Sequence, residues 1–125
     1  MPETMLLAVP SVGTGGLEGE RSGHFGQCDT FTLVEIGDGE ITAVSVIDNP
    51  PHQEGGCLRP VELLASHSVN ALVVAGMGAR PLAGFRAAGI DVYFDDVTPG
   101  IGEVVALLVA GKCVPMDDRY VCGGH

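Results

Sequence analysis

The stretch that decides the fold runs from Ala71 to Phe94 and reads ALVVAGMGARPLAGFRAAGIDVYF. It opens with a short apolar run that is typical of a buried strand. Gly76-Met77-Gly78 then predicts a tight turn into a helix from about Arg80 to Ala88, and Gly89 stands where a helix usually ends. Ile90 to Phe94 predicts a second strand. Strand, helix and strand in this order indicate a right-handed parallel β-α-β unit.

The rest of the chain adds a strand, a hairpin and two helices to this unit. Gly37-Asp38-Gly39-Glu40 separates two β-branched runs and is a hairpin signal. Thr98-Pro99 offers an N-cap and a first-turn proline to the last helix, which Gly111 ends. The predicted elements are strands at Met5–Pro10, Thr30–Ile36 and Ile41–Ile47 and helices at Pro60–His67 and 98–110. Alternating strands and helices predict an α/β domain in which the hairpin extends a mixed sheet.

Composition and charge exclude several classes of protein. A chain of 125 residues, 46% hydrophobic and 18% charged, is typical of one folded domain. Sixteen acidic against six basic residues give a net charge of -10, which repels nucleic acid. No apolar run reaches the roughly 18 residues of a membrane span, and the N-terminus lacks the basic lead of a signal peptide. We expect a cytoplasmic protein that binds neither nucleic acid nor membrane.

Histidine and cysteine occur together in two loops. His24 and Cys28 share a glycine-containing segment, so both side chains can face one ligand; the alternative is that Cys28 is a small buried hydrophobic residue. His52 and Cys57 precede a predicted helix N-terminus, which makes Cys57 the best candidate for a thiol of low pKa; the alternative is a polar capping loop. A soft metal or a metal-sulfide cluster favours this mixture of ligands.

Glycines and scarce arginines add features of an anion site. The amide groups of Gly76 and Gly78 can hold an anion, although a plain turn explains these glycines equally well. Arg21, Arg59 and Arg80 each lie beside one of the three loops. Loops that follow parallel strands meet at one edge of the sheet, so the three charges can converge there. The alternative is three solvated arginines.

Catalytic patterns are weak in this chain. The first predicted strand carries no carboxylate, the sequence has no Gly-x-Ser-x-Gly elbow, and neither Cys28 nor Cys57 has an identifiable orienting residue. We therefore expect a protein that is not an enzyme, with a thiol hydrolase as a minor alternative. The tail from Lys112 to His125 shows no period and is expected to be extended or frayed; the alternative is that Cys113, Cys122 and His125 add ligands.

The order and spacing of these motifs resemble the dinitrogenase iron-molybdenum cofactor biosynthesis family over residues 5–111. This family includes NifX-like proteins, the carboxy-terminal domain of NifB and the orange protein that carries a molybdenum-copper sulfide cluster. The motifs that carry the resemblance are Val9-Pro10, Ser22-Gly23-His24-Phe25-Gly26, the His52 to Cys57 loop, Gly76-Met77-Gly78 and Gly89-Ile90-Asp91-Val92.

The resemblance implies a ribonuclease H-like α/β fold with a mixed five-stranded sheet and about three helices. It also implies a carrier or assembly scaffold for an anionic metal-sulfur cluster, of the molybdenum-copper, iron-molybdenum or iron-sulfur type. His24, His52 and Cys57 are then the candidate metal contacts. The wider set of candidate cluster contacts is Arg21, His24, Cys28, His52, Cys57, Arg59, Gly76, Gly78 and Arg80.

The expected organisation is one cluster-binding domain at 1–111 followed by a Cys/His-containing tail at 112–125. The expected partners are the cluster and the proteins that deliver or receive it, and the expected state is a monomer or weak dimer. The alternative function is a zinc-binding or redox-sensing protein-interaction domain, whose cysteines would hold zinc or form a reversible disulfide.

Overall fold

The computed structural model describes residues 4–22, 28–48, 59–75, 79–95 and 97–115. Within these ranges the chain forms a single mixed sheet and helices on both of its faces. The elements are β1 (Thr4–Ser11), β2 (Thr30–Gly37), β3 (Glu40–Asp48), α1 (Arg59–Ser66), β4 (Ala71–Val74), α2 (Ala79–Ala87), β5 (Asp91–Phe94), α3 (Ile101–Val109) and β6 (Val114–Pro115).

The strand order is β3-β2-β1-β4-β5-β6. β4 lies parallel to β1 and to β5, whereas the hairpin strands β2 and β3 and the last strand β6 run antiparallel to their neighbours. The predicted α/β class, the mixed sheet and the β4-α2-β5 unit are confirmed. The described sheet has six strands instead of the predicted five.

The sixth strand comes from the segment that was expected to be an extended tail. Val114 pairs with Phe94 and Pro115 with Tyr93, so these two residues lengthen the sheet beyond β5. A strand of two residues has no hydrophobic alternation, and for this reason periodicity did not reveal it.

The predicted hairpin is confirmed and is closed by a two-residue turn. Gly37 pairs with Glu40, which leaves Asp38 and Gly39 as the connection, and both have positive φ, 53° and 79°. Two consecutive positive φ values are the signature of a type I′ turn, whose twist matches that of the flanking strands. Gly39 tolerates this conformation because it has no Cβ.

Side chains of the central strands alternate between two cores. On one face Ala8, Leu72 and Val74 pack with Leu64 of α1 and with Leu82 and Phe85 of α2. On the other face the core is formed by α3 and the strand residues of opposite parity, namely Leu7, Val9, Val34, Ile36, Ala71, Val73, Ile101, Val104 and Val105. The domain is therefore a three-layer α/β/α structure with α1 and α2 on one side and α3 on the other.

The prediction that α3 begins at Thr98-Pro99 is wrong by two to three residues. The N-cap is Gly100, which offers no side-chain cap, and the first helical residue is Ile101. Thr98 instead donates its amide to Asp95, and the Pro99 carbonyl accepts the amide of Arg21. The local turn at Asp95 and the long-range hydrogen bond from Arg21 keep residues 98–99 out of the helix.

A candidate site at the carboxyl edge of the sheet

Six strand ends of the described sheet define one edge, which we call the carboxyl edge; one of them is Val114, where β6 begins opposite Phe94. The parallel strands β1, β4 and β5 finish there at Ser11, Val74 and Phe94. Thr30, where β2 begins, pairs with Ser11 on one side and with Asp48, where β3 ends, on the other. The chain therefore leaves the sheet at this edge after β1, β3, β4 and β5.

The candidate residues occur in the segments that leave or enter the sheet at this edge. Arg59 is the first residue of α1 and Arg80 the second of α2, and both helices begin toward the carboxyl edge because each leads back to the opposite edge, where β4 and β5 start. Arg21 and Cys28 are the candidates whose side chains the structure describes. His24, His52, Cys57, Gly76 and Gly78 lie outside the described residues.

Arg21 is buried in an ion pair with Asp95. Its guanidinium Nη1 lies 3.1 Å from Asp95 Oδ1, and the two side chains are only 5% and 11% exposed. Nη1 also donates to the Thr98 carbonyl at 2.7 Å, and Nη2 donates to the Asp95 carbonyl at 2.7 Å. Among the described residues, Arg21 Nε has no hydrogen-bond partner. The alternative expectation of a solvated arginine is therefore wrong for Arg21, whose charge is neutralised by the Asp95 carboxylate.

Asp95 organises the loop between β5 and α3. Its Oδ1 accepts the amides of Val97 and Thr98, and its Oδ2 accepts the Thr98 hydroxyl. Burial by itself raises the pKa of Asp95. The hydrogen bonds from Thr98 and Val97 and the Arg21 charge outweigh burial and hold the pKa below its ordinary value of 3.8. Asp95 is therefore an ionised counter-charge for Arg21 at neutral pH.

Sequence reasoning missed Asp95, although two signals point to it. It follows directly after a buried strand, and Thr98 stands three residues further on. An aspartate with this spacing to a threonine favours a turn in which the carboxylate accepts the following amides. The identity of its basic partner had no local signal, because Arg21 is 74 residues away.

The segment that contains His24 is fixed at both of its ends. On the first side, Arg21 donates its amide to Pro99 and Ser22 donates its amide to Pro10. On the second side, Asp29 donates its amide to Ser11. Cys28 is 5% exposed and packs in the core on the α1 and α2 side. This burial fits the alternative expectation for Cys28, and its contact with a cluster stays a prediction.

The glycine-rich loop after β1 caps helix α3. The carbonyls of Gly19 and Leu17 accept the amides of Ile101 and Gly102, at 3.2 and 3.0 Å. Thr32 supports the loop from below by accepting the Gly16 amide. A Cβ on Gly15, which has a φ of +68°, would lie 2.6 Å from the Thr32 hydroxyl. This loop therefore presents carbonyls to the N-terminus of α3, and two amides that an anion would need there are already occupied.

Cys113 lies close enough to Asp95 and Arg21 for their charges to act on its thiol. Burial raises the pKa of Cys113, the Asp95 charge raises it further, and the Arg21 charge opposes this rise. Cys113 is therefore protonated at neutral pH, which makes it a poor nucleophile. Its side chain packs against the core on the α3 side.

The described ranges contain no group of three or more His, Cys, Asp or Glu residues that could hold a metal ion. The candidate metal contacts His24, His52 and Cys57 lie outside these ranges. Of the described helices, none is long and apolar enough to cross a membrane.

Comparison with known proteins supplies the family. Residues 5–111 match the family described as "Dinitrogenase iron-molybdenum cofactor". The chain belongs to this family. An uncharacterized protein of Methanocaldococcus jannaschii is 37% identical over 93 residues, which cover 73% of this chain and 78% of that protein.

The fold is also shared with solved structures. The apo form of the orange protein from Desulfovibrio gigas superposes with a TM-score of 0.75 and 23% identity, covering 90% of this chain and 97% of that one. The match to a family related to the iron-molybdenum cofactor confirms the resemblance recognised from the sequence motifs. The likeness to the orange protein supports the α/β fold.

Proposed function

We propose that this protein is a non-enzymatic carrier or assembly scaffold for an anionic metal-sulfur cluster. The observation that carries the proposal is the convergence of strand ends at the carboxyl edge. The chain leaves this edge after β1 into the segment of His24 and Cys28, and after β3 into the segment of His52 and Cys57. Family membership supports it, because the family is named for a cofactor of the same chemical class. The cluster is cargo to be passed on, with molybdenum, copper and iron as the candidate metals.

We assign the ligand atoms to His24, His52 and Cys57. A thiolate and imidazoles suit a soft metal-sulfide unit. Arg59, Arg80 and the amides of Gly76 and Gly78 would offset the negative charge of the cargo. Arg21 and Cys28, both buried, would act by holding the two ends of the segment that contains His24.

Helix N-termini favour an anion at this edge. The N-terminus of an α-helix carries partial positive charge and unsatisfied amides. The loop carbonyls of Leu17 and Gly19 already occupy the first amides of α3. This leaves α1 and α2, which begin at Arg59 and Ala79, as the helices oriented to favour negative cargo. A chain with a net charge of -10 needs such local compensation.

The test is anaerobic purification, followed by visible absorption and elemental analysis for Mo, Cu, Fe, Zn and sulfide on the same sample. The measurement is repeated after addition of tetrathiomolybdate with copper, and after addition of iron with sulfide. We expect charge-transfer bands with stoichiometric metal and sulfide. A colourless protein that takes up one zinc per chain, or nothing, would overturn the proposal and favour the zinc or redox interaction domain.

Matched variants locate the site. We expect His24→Ala, His52→Ala and Cys57→Ser each to lower cluster retention. His67→Ala serves as the control, because His67 is exposed directly after the end of α1. Equal retention in the site variants and the control would contradict the assigned ligands.

A further inference from the structure

The edge strand β3 presents an apolar row to solvent. Ile41, Val44 and Val46 are 42%, 40% and 39% exposed. Ile41 pairs with Ile36 and Val44 with Val34, and both partners belong to the core on the α3 side. Residues directly opposite each other in an antiparallel pair share one face of the sheet. The three exposed side chains therefore form one row on the α3-side face, beyond the reach of α3.

The same strand leaves backbone groups without a partner strand. Within the described residues, β3 is the last strand of the sheet and pairs only with β2. In an antiparallel ladder, every second residue of an edge strand directs its N–H and C=O away from the sheet. Proteins often keep an edge strand short so that another chain cannot pair with it, whereas β3 has nine residues. A partner strand of similar length fits this edge.

A groove continues the apolar surface next to the start of β3. It has a volume of about 680 Å³ and lies between the end of α3 and the hairpin turn. Met5, Ile36, Leu108 and Val109 are among its lining residues. Because Ile36 pairs with Ile41, the groove and the exposed row are continuous.

Charge determines which strand this edge accepts. No Lys or Arg occurs between positions 22 and 58. Four exposed acidic residues lie in the β2-β3 hairpin, namely Glu35, Asp38, Glu40 and Asp48. A second copy paired antiparallel about Val44 would set Glu40 of each copy against Asp48 of the other. Like charges directly opposite each other destabilise a sheet pair, so this pattern opposes self-association. It favours a segment with basic ends.

We infer that β3 is a docking edge for an extended segment of a partner protein, with apolar β-branched residues such as valine at alternate positions and Lys or Arg at both ends. The segment would add a strand beside β3, which supplies affinity through main-chain hydrogen bonds and selectivity through charge. The inference goes beyond the proposed function and does not depend on it.

The probe is a fluorescent nine-residue peptide, Lys-Thr-Val-Thr-Val-Thr-Val-Thr-Lys, titrated with the full chain at neutral pH and followed by anisotropy. The control peptide has Glu in place of both Lys residues. We expect the Glu-ended peptide to bind about tenfold more weakly than the Lys-ended peptide, because each of its two ends places a like charge opposite Glu40 or Asp48. Backbone amides of residues 40–48 should exchange more slowly in the presence of the Lys-ended peptide.

Variants separate the charge and apolar contributions. In E40K/D48K the preference should invert toward the Glu-ended peptide, and in E40Q/D48N it should fall below about twofold. Val44→Thr with Val46→Thr should weaken binding of the Lys-ended peptide, whereas Val114→Thr should not, because Val114 is 45% exposed but lies in β6 at the opposite edge. Circular dichroism and thermal unfolding verify that each variant folds.

Four results would overturn the inference. They are equal affinity of the wild-type chain for the two peptides, no binding of either up to millimolar concentration, an unchanged preference in E40K/D48K, and slower exchange outside residues 40–48 alone. Self-association in sedimentation at neutral pH, together with slower exchange of the β3 amides, would identify the occupant as a second copy of this chain. This result would also overturn the inference of a partner segment with basic ends.

Discussion

Arg21 and Asp95 form the residue-scale contact that ties the loop after β1 to the loop after β5. Both side chains are buried, and their guanidinium and carboxylate groups are 3.1 Å apart. A buried ion pair adds little over a well-packed apolar pair, but the loss of one partner leaves an uncompensated charge in the interior. The structural importance of each residue thus depends on the presence of the other.

We expect Asp95→Asn to lower the free energy of unfolding by about 3 kcal/mol, because Arg21 keeps its charge without a counter-ion. Urea unfolding followed by circular dichroism measures this. Asp91→Asn is the matched control, since Asp91 is exposed at the start of β5, the strand that Asp95 follows. A double variant Arg21→Met with Asp95→Asn should lose less than the sum of the two single changes, and strict additivity would contradict the coupling.

The ion pair also predicts a dependence of stability on pH. The pKa of Asp95 is lowered in the folded state, so its contribution is fully present above the unfolded pKa and is lost as pH falls through the folded pKa. The difference in unfolding free energy between the wild-type chain and Asp95→Asn should be constant above about pH 5 and shrink below about pH 4. A difference that stays constant down to pH 2.5 would contradict the lowered pKa.

Cysteine reactivity distinguishes the two kinds of thiol. The raised pKa of Cys113 should make its alkylation slow at neutral pH, whereas the expected low pKa of Cys57 should make that thiol react first. Mass spectrometry after brief treatment with iodoacetamide at pH 7 gives the order of modification. Preferential alkylation of Cys113 would contradict both assignments.

At the scale of elements, the start of α3 shows how tertiary contacts override a local signal. Thr98-Pro99 is a sound N-terminal pattern, yet the helix begins at Ile101 because the carbonyls of Leu17 and Gly19 cap it. The hairpin and α2 lie where their local patterns predict them. Local rules therefore predicted the elements whose ends are satisfied locally.

We expect Gly102→Ala to destabilise the protein by about 1 to 3 kcal/mol, although alanine favours helices. A Cβ on Gly102 would lie 2.9 Å from the Leu17 carbonyl, which accepts the Gly102 amide at 3.0 Å. Thermal unfolding measures the effect. Ala106→Gly, at an exposed position of α3, reports helix propensity alone and should cost about 1 kcal/mol. A stabilised Gly102→Ala would contradict the close contact.

At the scale of the whole molecule, the carboxyl edge and the β3 edge meet at Asp48, where β3 ends. β3 ends at Asp48, where the segment that contains His52 and Cys57 begins. A strand docked on β3 therefore reaches the border of the proposed cluster site. This arrangement suits a protein that holds cargo while a partner binds.

The predicted domain boundary can be tested by truncation. A chain that ends at Gly111 loses β6 and the packing of Cys113, and we expect it to fold cooperatively with about 1 to 2 kcal/mol less stability. Urea unfolding of both chains gives the difference. Absence of a cooperative transition would show that residues 112–125 belong to the domain.

The sequence by itself determined the β4-α2-β5 unit, the hairpin with its Asp38-Gly39 turn, the α/β class and the family. These depend on hydrophobic periodicity and turn residues, which act over a few positions. Only the tertiary structure decided the partner of Arg21, the cap of α3, the burial of Cys28 and the exposed edge of β3. Each of these depends on groups that are distant in sequence, and their proximity arises only when the sheet has assembled.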